Sequence, residues 1–261
     1  MTTPDYFSDN CQTRLWLNLR QQHPLVHCLT NYVSMPLVAN ALLAVGASPV
    51  MARAEEEVGE IVRRAAAVVL NIGTPESPAV RAMKIAARTA AEVGVPVVLD
   101  PVGVGATAFR KDLVKDLLNI SRPTIIRGNA SEIRALLGLH TAAAGVDACQ
   151  NETDVEALAV QLSQRLGAVV VASGETDIVT DGKNTLHLSG GHDLMRRVTG
   201  TGCAATAIIA ACAAVETDAF KAATIAARLM KQAGEAAAKT AKGPGSFAVN
   251  LLDELERLTS L

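Results

Sequence analysis

Four short runs built around consecutive apolar residues, at 67–72, 95–100, 124–127 and 168–172, constrain the fold more than anything else in this chain. They are rich in Val and Ile, and stretches of helical character separate them. A strand with one wet face alternates apolar and polar residues, whereas a strand apolar throughout is buried on both faces. Helices between such strands join them in parallel through right-handed crossovers, the path that packs each helix back onto the sheet. The expected class is α/β, with a mostly parallel sheet covered by helices.

The other elements fit around that sheet. Residues 9–22 read as a helix with Leu15, Trp16 and Leu19 facing inward. A short apolar strand at 24–29 runs into the polar turn Thr30-Asn31-Tyr32-Val33. Pro36 suits the first turn of a helix that Gly46 closes, and a second short strand follows at 47–51. Glu55, Glu56 and Glu57 suit the electropositive first turn of the next helix. Further helices are expected at 77–92, 110–119 and 130–137, and Asp154 is expected to cap another that runs to Arg165. The pattern becomes a hairpin around Asp181-Gly182, and three helices, broken at 242–247, end the chain. With no repeat, low-complexity tract or linker, residues 1–261 are expected to form one domain.

Composition narrows the function classes. Hydrophobic residues make up 49% of the chain but aromatics only 3%, so the core must be built from Ala, Val, Leu and Ile. A net charge of −2 supplies no basic field and argues against nucleic acid as a partner. The longest apolar run, from Cys203 to Val215, is about 13 residues, short of the roughly 20 that span a bilayer. The first residues lack the basic and apolar regions of a signal peptide. Five cysteines without C-x-x-C spacing suggest neither a disulfide framework nor a zinc site. A soluble cytoplasmic protein is expected.

Chemistry gathers at Val198-Thr199-Gly200-Thr201-Gly202-Cys203, which is followed by a run of helix formers. A loop so poor in side chains can turn its backbone N–H groups toward an anion, and the helix behind it adds the positive end of its dipole. Cys203 stands at the seam, where that field favours its thiolate. A plain Gly-rich turn before a buried Ala-rich helix would contain the same residues, with Cys203 as a small core side chain.

In an open parallel sheet, ligands bind beyond the carboxyl ends of the strands. Here those ends carry Asn71-Ile72-Gly73-Thr74, Asp100-Pro101, Arg127-Gly128-Asn129 and Ser173-Gly174-Glu175. Asp100 and Glu132 can share a magnesium ion, directly or through water, as hard oxygen ligands do. Asn129 and Glu132 equally have the spacing of a capping pair at a helix start. No G-x-x-x-x-G-K-[ST] loop occurs. Gly103-Val104-Gly105-Ala106-Thr107-Ala108 matches a dinucleotide fingerprint, but its strand ends at Asp100 and no strand-end acid follows about 20 residues on. No two histidines have metal spacing, and there is no G-x-S-x-G elbow. His27 faces either core or cleft, His192 lies on the loop before the glycines, and His23, His140 and His187 are peripheral.

Six segments together resemble the hydroxyethylthiazole kinases of the ribokinase-like superfamily, in the same order and over nearly the whole chain. They are Thr30-Asn31-Tyr32-Val33, Gly46-Ala47-Ser48-Pro49-Val50-Met51, Leu99-Asp100-Pro101-Val102, Arg127-Gly128-Asn129-Ala130-Ser131-Glu132, Gly200-Thr201-Gly202-Cys203 and Gly243-Pro244-Gly245-Ser246-Phe247. The Gly-Thr-Gly-Cys element alone is shared with hydroxymethylpyrimidine kinases. The resemblance implies a three-layer α/β/α fold that uses ATP and Mg2+ to phosphorylate the primary alcohol of 4-methyl-5-(2-hydroxyethyl)thiazole in thiamine salvage. It implies that Met51, Asn31, Val33 and Gly200 line the thiazole pocket, that Arg127, Ser173 and Gly202 meet ATP, and that Asp100 and Glu132 organise magnesium. Cys203 would stand where sugar kinases of the superfamily carry an aspartate base. Ser173 departs from the more usual Thr, keeping the hydroxyl and losing a methyl. A homotrimer with the pocket between subunits is also implied. A hydroxymethylpyrimidine (phosphate) kinase of the same superfamily is the alternative within the class, and a non-catalytic nucleotide- or thiazole-binding protein is the alternative from a different class.

Overall fold

The computed structural model describes residues 9–139 and 152–260. Eight strands lie in one sheet: β1 (Leu25–Leu29), β2 (Ser48–Val50), β3 (Ala67–Asn71), β4 (Val97–Asp100), β5 (Ile125–Asn129), β6 (Val169–Ser173), β7 (Asp177–Thr180) and β8 (Thr185–Leu188). Their spatial order is β2-β1-β3-β4-β5-β6-β7-β8. The first six in that order are parallel, and β7 and β8 add the expected hairpin at one edge, antiparallel to β6 and to each other.

The unbroken apolar runs are explained by where alternate side chains go. Ala67 and Val69 of β3 join one core with Val26, Cys28, Val98 and Ile125. Val68 and Leu70 join the core on the opposite face, with Leu29, Leu99 and Ile126. Both faces are dry, so β3, β4 and β6 stay apolar up to their last residue.

Ten α-helices are distinct among the described residues. They are α1 (Asp9–Gln22), α2 (Met35–Ala44), α3 (Glu55–Arg64), α4 (Ser77–Val93), α5 (Ala108–Ile120), α6 (Ala130–Leu136), α7 (Glu152–Leu166), α8 (Thr201–Val215), α9 (Ala219–Thr240) and α10 (Pro244–Thr259). The first face is covered by α1, α2, α8, α9 and α10, the second by α3, α4 and α5, with α6 and α7 extending it over β6 and β7. Leu15, Trp16 and Leu19 are buried in the first layer as their spacing predicts.

Helix α8 is the one most deeply enclosed. Thr206 to Cys212 are all buried, and the small side chains let the helix lie close to β1, β3 and β4. Burying Ile208 and Ile209 each contributes about 2 kcal/mol.

Two expectations about helix starts need correction. Helix α7 begins at Glu152, so Asp154 lies in its first turn and not at the cap. Helix α5 begins at Ala108 rather than Arg110, because the Thr107 hydroxyl accepts the Arg110 N–H and caps it. His140 and Cys149 lie outside the described residues.

Candidate active site

The carboxyl ends of β1, β3, β4 and β5 meet the amino end of α8, and the polar residues collect there. Gly200 caps the helix with φ +92°, a left-handed conformation that costs a side-chain-bearing residue. A Cβ on Gly200 would also stand 3.0 Å from the Ser34 Cβ. The helix starts at Thr201, earlier than the seam placed at Cys203, so Gly202 and Cys203 sit in its first turn. Leading N–H groups of a helix have no carbonyl one turn back, which makes this turn a ready anion site.

Arg127 reaches this turn from the neighbouring strand. A Cβ on Gly202 would lie 2.7 Å from the Arg127 Nη1, so glycine here is what lets the guanidinium lie against the helix start. Arg127 also acts electrostatically on Asp100 at the end of β4.

Asp100 is fully buried. Its Oδ2 accepts from Asn71 Nδ2 at 2.7 Å and from the Thr206 hydroxyl at 2.8 Å, while Oδ1 has no hydrogen-bond partner. Burial pushes its carboxyl up to about 6; the charge of Arg127 opposes that rise and the charge of Glu132 adds to it.

The sulfur of Cys203 is half-buried and accepts from two amides, Asn31 Nδ2 at 3.3 Å and Asn71 Nδ2 at 3.2 Å. Asn31 also donates to Asn71 Oδ1 at 3.0 Å. Asn31, Asn71, Asp100, Cys203 and Thr206 thus form one connected network across the turn after β1, the ends of β3 and β4, and α8.

Glu132 completes a capping box. Asn129 Oδ1 accepts the Glu132 N–H at 3.0 Å, and Glu132 Oε2 accepts the Asn129 N–H at 2.8 Å. Its Oε1 accepts the Gly103 N–H at 2.9 Å. The capping alternative is therefore built, and it holds the carboxylate fast. It also engages one amide of the glycine motif at 103–108, so that loop is part of the same rim.

The other candidates lie at the margins of the network. Ser173, opposite Asn129 in the β5–β6 register, donates its hydroxyl to Gly128 O at 3.3 Å. Met51 lies just past β2 and packs against the first core, and Val33 is 63% exposed beyond β1. His27 goes to the core, with its Nε2 against Ala52 O at 2.8 Å. His192 caps a short 3-10 turn by accepting the Leu194 N–H.

Three residues of the site escaped the sequence reading of roles. Asn71 had a signal, since it ends β3 in register with Asp100 at the end of β4. Thr206 is the one hydroxyl beyond the first turn of an Ala-rich helix. Arg110 donates to Ile72 O, Val102 O and Gly73 O, tying the loops after β3 and β4 together, and nothing in its local sequence marks it.

A model of the hydroxyethylthiazole kinase family matches residues 17–260. The chain belongs to the hydroxyethylthiazole kinase family. A hydroxyethylthiazole kinase of Cereibacter sphaeroides is 49% identical over 96% of this chain and 95% of its own. The solved hydroxyethylthiazole kinase of Pyrococcus horikoshii superposes with a TM-score of 0.87, at 42% identity over 95% of this chain and 93% of that one. A ribokinase-like protein of Enterococcus faecalis, 15% identical over 93% of this chain and 88% of that one, shares the fold with a TM-score of 0.66. The three-layer, ribokinase-like α/β fold is thus shown, as is membership of a kinase family that uses ATP on a small-molecule alcohol. No helix among the described residues is long and apolar enough to cross a membrane.

Proposed function

We propose that this chain, working as a single cytoplasmic domain in thiamine salvage, transfers the γ-phosphoryl of ATP to the primary hydroxyl of 4-methyl-5-(2-hydroxyethyl)thiazole by in-line displacement. The observation that carries the reading is the Cys203 sulfur in the first turn of α8, accepting two amides, one of which also holds the buried Asp100. Phosphoryl transfer passes through a loose, charge-rich transition state, so positioning and charge neutralisation supply most of the acceleration. The attacking alcohol then needs little deprotonation before bond formation is advanced, and a thiol serves where a carboxylate is usual. A sulfur that takes a proton must start as the thiolate and end as the thiol, and its lone pairs accept the two amide hydrogens and the hydrogen of the alcohol. Cys203 orients the alcohol and takes its proton, and the N–H groups from Gly200 to Cys203 receive the phosphoryl oxygens.

Asn31, Val33, Met51 and Gly200 line the thiazole pocket in this reading, and Arg127, Ser173 and Gly202 meet the nucleotide. Mg2+ fits the residues present. Asp100 Oδ1 is an orphaned carboxylate oxygen, and Glu132 is immobilised by two backbone N–H groups. Among the described residues no cluster of three or more His, Cys, Asp and Glu could form an all-protein cage. That suits an ion that keeps its waters and binds through one or two carboxylates plus substrate phosphates. Asp100 and Glu132 would hold it, and it would supply charge neutralisation at the phosphates.

The test is an ATP/Mg2+ assay with the thiazole alcohol, following its phosphate ester. Cys203→Ala is expected to lower kcat about 100-fold, as removal of a general base or an oxyanion donor does. Cys203→Asp is expected to retain turnover. Unimpaired turnover of Cys203→Ala would end the proposed role.

We also propose a homotrimer with the substrate pocket between subunits. Its support is the exposed apolar pair Tyr32 and Val33 beside Asn31, with Leu43 exposed on α2, since such residues suit an interface. Light scattering is expected to give three times the 27.2 kDa chain mass. A monomeric mass at assay concentrations would refute the arrangement.

A further inference from the structure

Asn71 uses its whole hydrogen-bonding capacity at the site. Its Oδ1 accepts the Gly73 backbone N–H at 2.9 Å and Asn31 Nδ2 at 3.0 Å, and its Nδ2 donates to Asp100 Oδ2 and to Cys203 Sγ. The direction of this amide is fixed by chemistry and not by assignment. A backbone N–H can only donate, so the atom facing Gly73 must be the oxygen and the atom facing Asp100 and Cys203 the nitrogen. Asn31 is fixed in the same way, because its Oδ1 accepts the Ser34 N–H at 3.0 Å. Both amides therefore present hydrogens to the same sulfur.

We propose that Asn71 is a positioning residue for the phosphoryl transfer, acting through Cys203. This rests on the reading of Cys203 as the group that takes the alcohol proton. Asn71 carries no reacting atom. Its amide, anchored to the β3–α4 loop through Gly73, links the sulfur to the carboxylate of the adjacent strand and holds the thiol in one rotamer at the helix start. Thr206 holds the same carboxylate oxygen from one turn further along α8, so Asp100 stays in place when the Asn71 amide is removed. The sulfur keeps only Asn31, whose own partner at Asn71 Oδ1 is then also gone.

The experiment is a double-mutant cycle read as kcat and KM with ATP/Mg2+ and the thiazole alcohol. Asn71→Ala in the unaltered chain is expected to lower kcat about 10-fold with both KM values within about two-fold, since coupled groups in one network lose a shared interaction. In a Cys203→Ala chain the same change is expected to lower kcat less than about two-fold, because there is no sulfur left to position. Asn71→Ser, whose hydroxyl stops one bond short of the amide nitrogen, must show the same pattern, and its melting temperature reports whether the fold is kept. An equal, additive loss in both backgrounds overturns the proposal while leaving the role of Cys203 intact. A Cys203→Ala chain with full turnover overturns both, and the two failures are told apart by that variant alone.

Discussion

Asp100→Asn is expected to lower kcat about 1,000-fold while leaving the protein at neutral pH at least as stable as the unaltered chain. The loss in rate follows from removing the buried carboxylate whose free oxygen is the candidate metal ligand, since electrostatic groups of this kind carry about 100- to 1,000-fold each. The gain in stability follows from the direction of its titration. Burial raises the folded-state value from 3.8 to about 6, so the native protein binds this proton more tightly than the unfolded chain does. Stability contributed by the protonated form is present at low pH and is lost as pH rises between those two values. Above about pH 6 the ionised group costs about 3 kcal/mol. Asparagine does not titrate, so the difference in unfolding free energy between the two proteins should drift toward the variant across that window. Denaturant unfolding at a series of pH values checks this; a constant difference would show that burial does not penalise the carboxylate. A site that holds a destabilised charge for its chemistry gives up stability to keep it.

Most of the scaffold was legible because its signals are local. The runs at 67–72 and 168–172 announce β3 and β6 by leaving no room for a wet face, and Asp181-Gly182 announces the β7–β8 hairpin. The helix starts were less so: Asp154 looks like a cap by residue type, yet α7 starts before it, since capping preference does not choose between neighbouring candidates. At the site, Asp100, Arg127 and Cys203 stand out by placement at strand ends and helix start. Asn71 shares the strand-end placement but shows its partners only in the folded register, and Thr206 has no such signal; Thr206 and Asp100 are joined by one hydrogen bond across 106 residues. Arg110 is harder still: its role is to satisfy the carbonyls of two loops, and nothing in a sequence says which loops an exposed-looking arginine will tie.

Arg127→Met is expected to reduce kcat/KM for ATP about 1,000-fold and to widen the pH window in which the protein loses stability. Methionine keeps the length and the packing of the stem but removes a planar, permanently charged fork suited to phosphate. The guanidinium lies against Gly202 at the amino end of α8, where the transferring phosphoryl would be received, so its loss falls on the nucleotide more than on the alcohol. The same charge also holds down the value of Asp100, and without it burial and Glu132 act unopposed. The Asp100 carboxyl should then rise above about 6, and the fall in stability with increasing pH should continue further toward neutrality. Arg127→Lys keeps the charge and loses the fork. It should therefore leave the stability profile near that of the unaltered chain while recovering only part of the ATP dependence. An Arg127→Met protein with an unchanged KM for ATP and an unchanged stability profile would detach Arg127 from both phosphate and Asp100. A changed profile with unchanged kinetics would leave it a structural counter-charge alone.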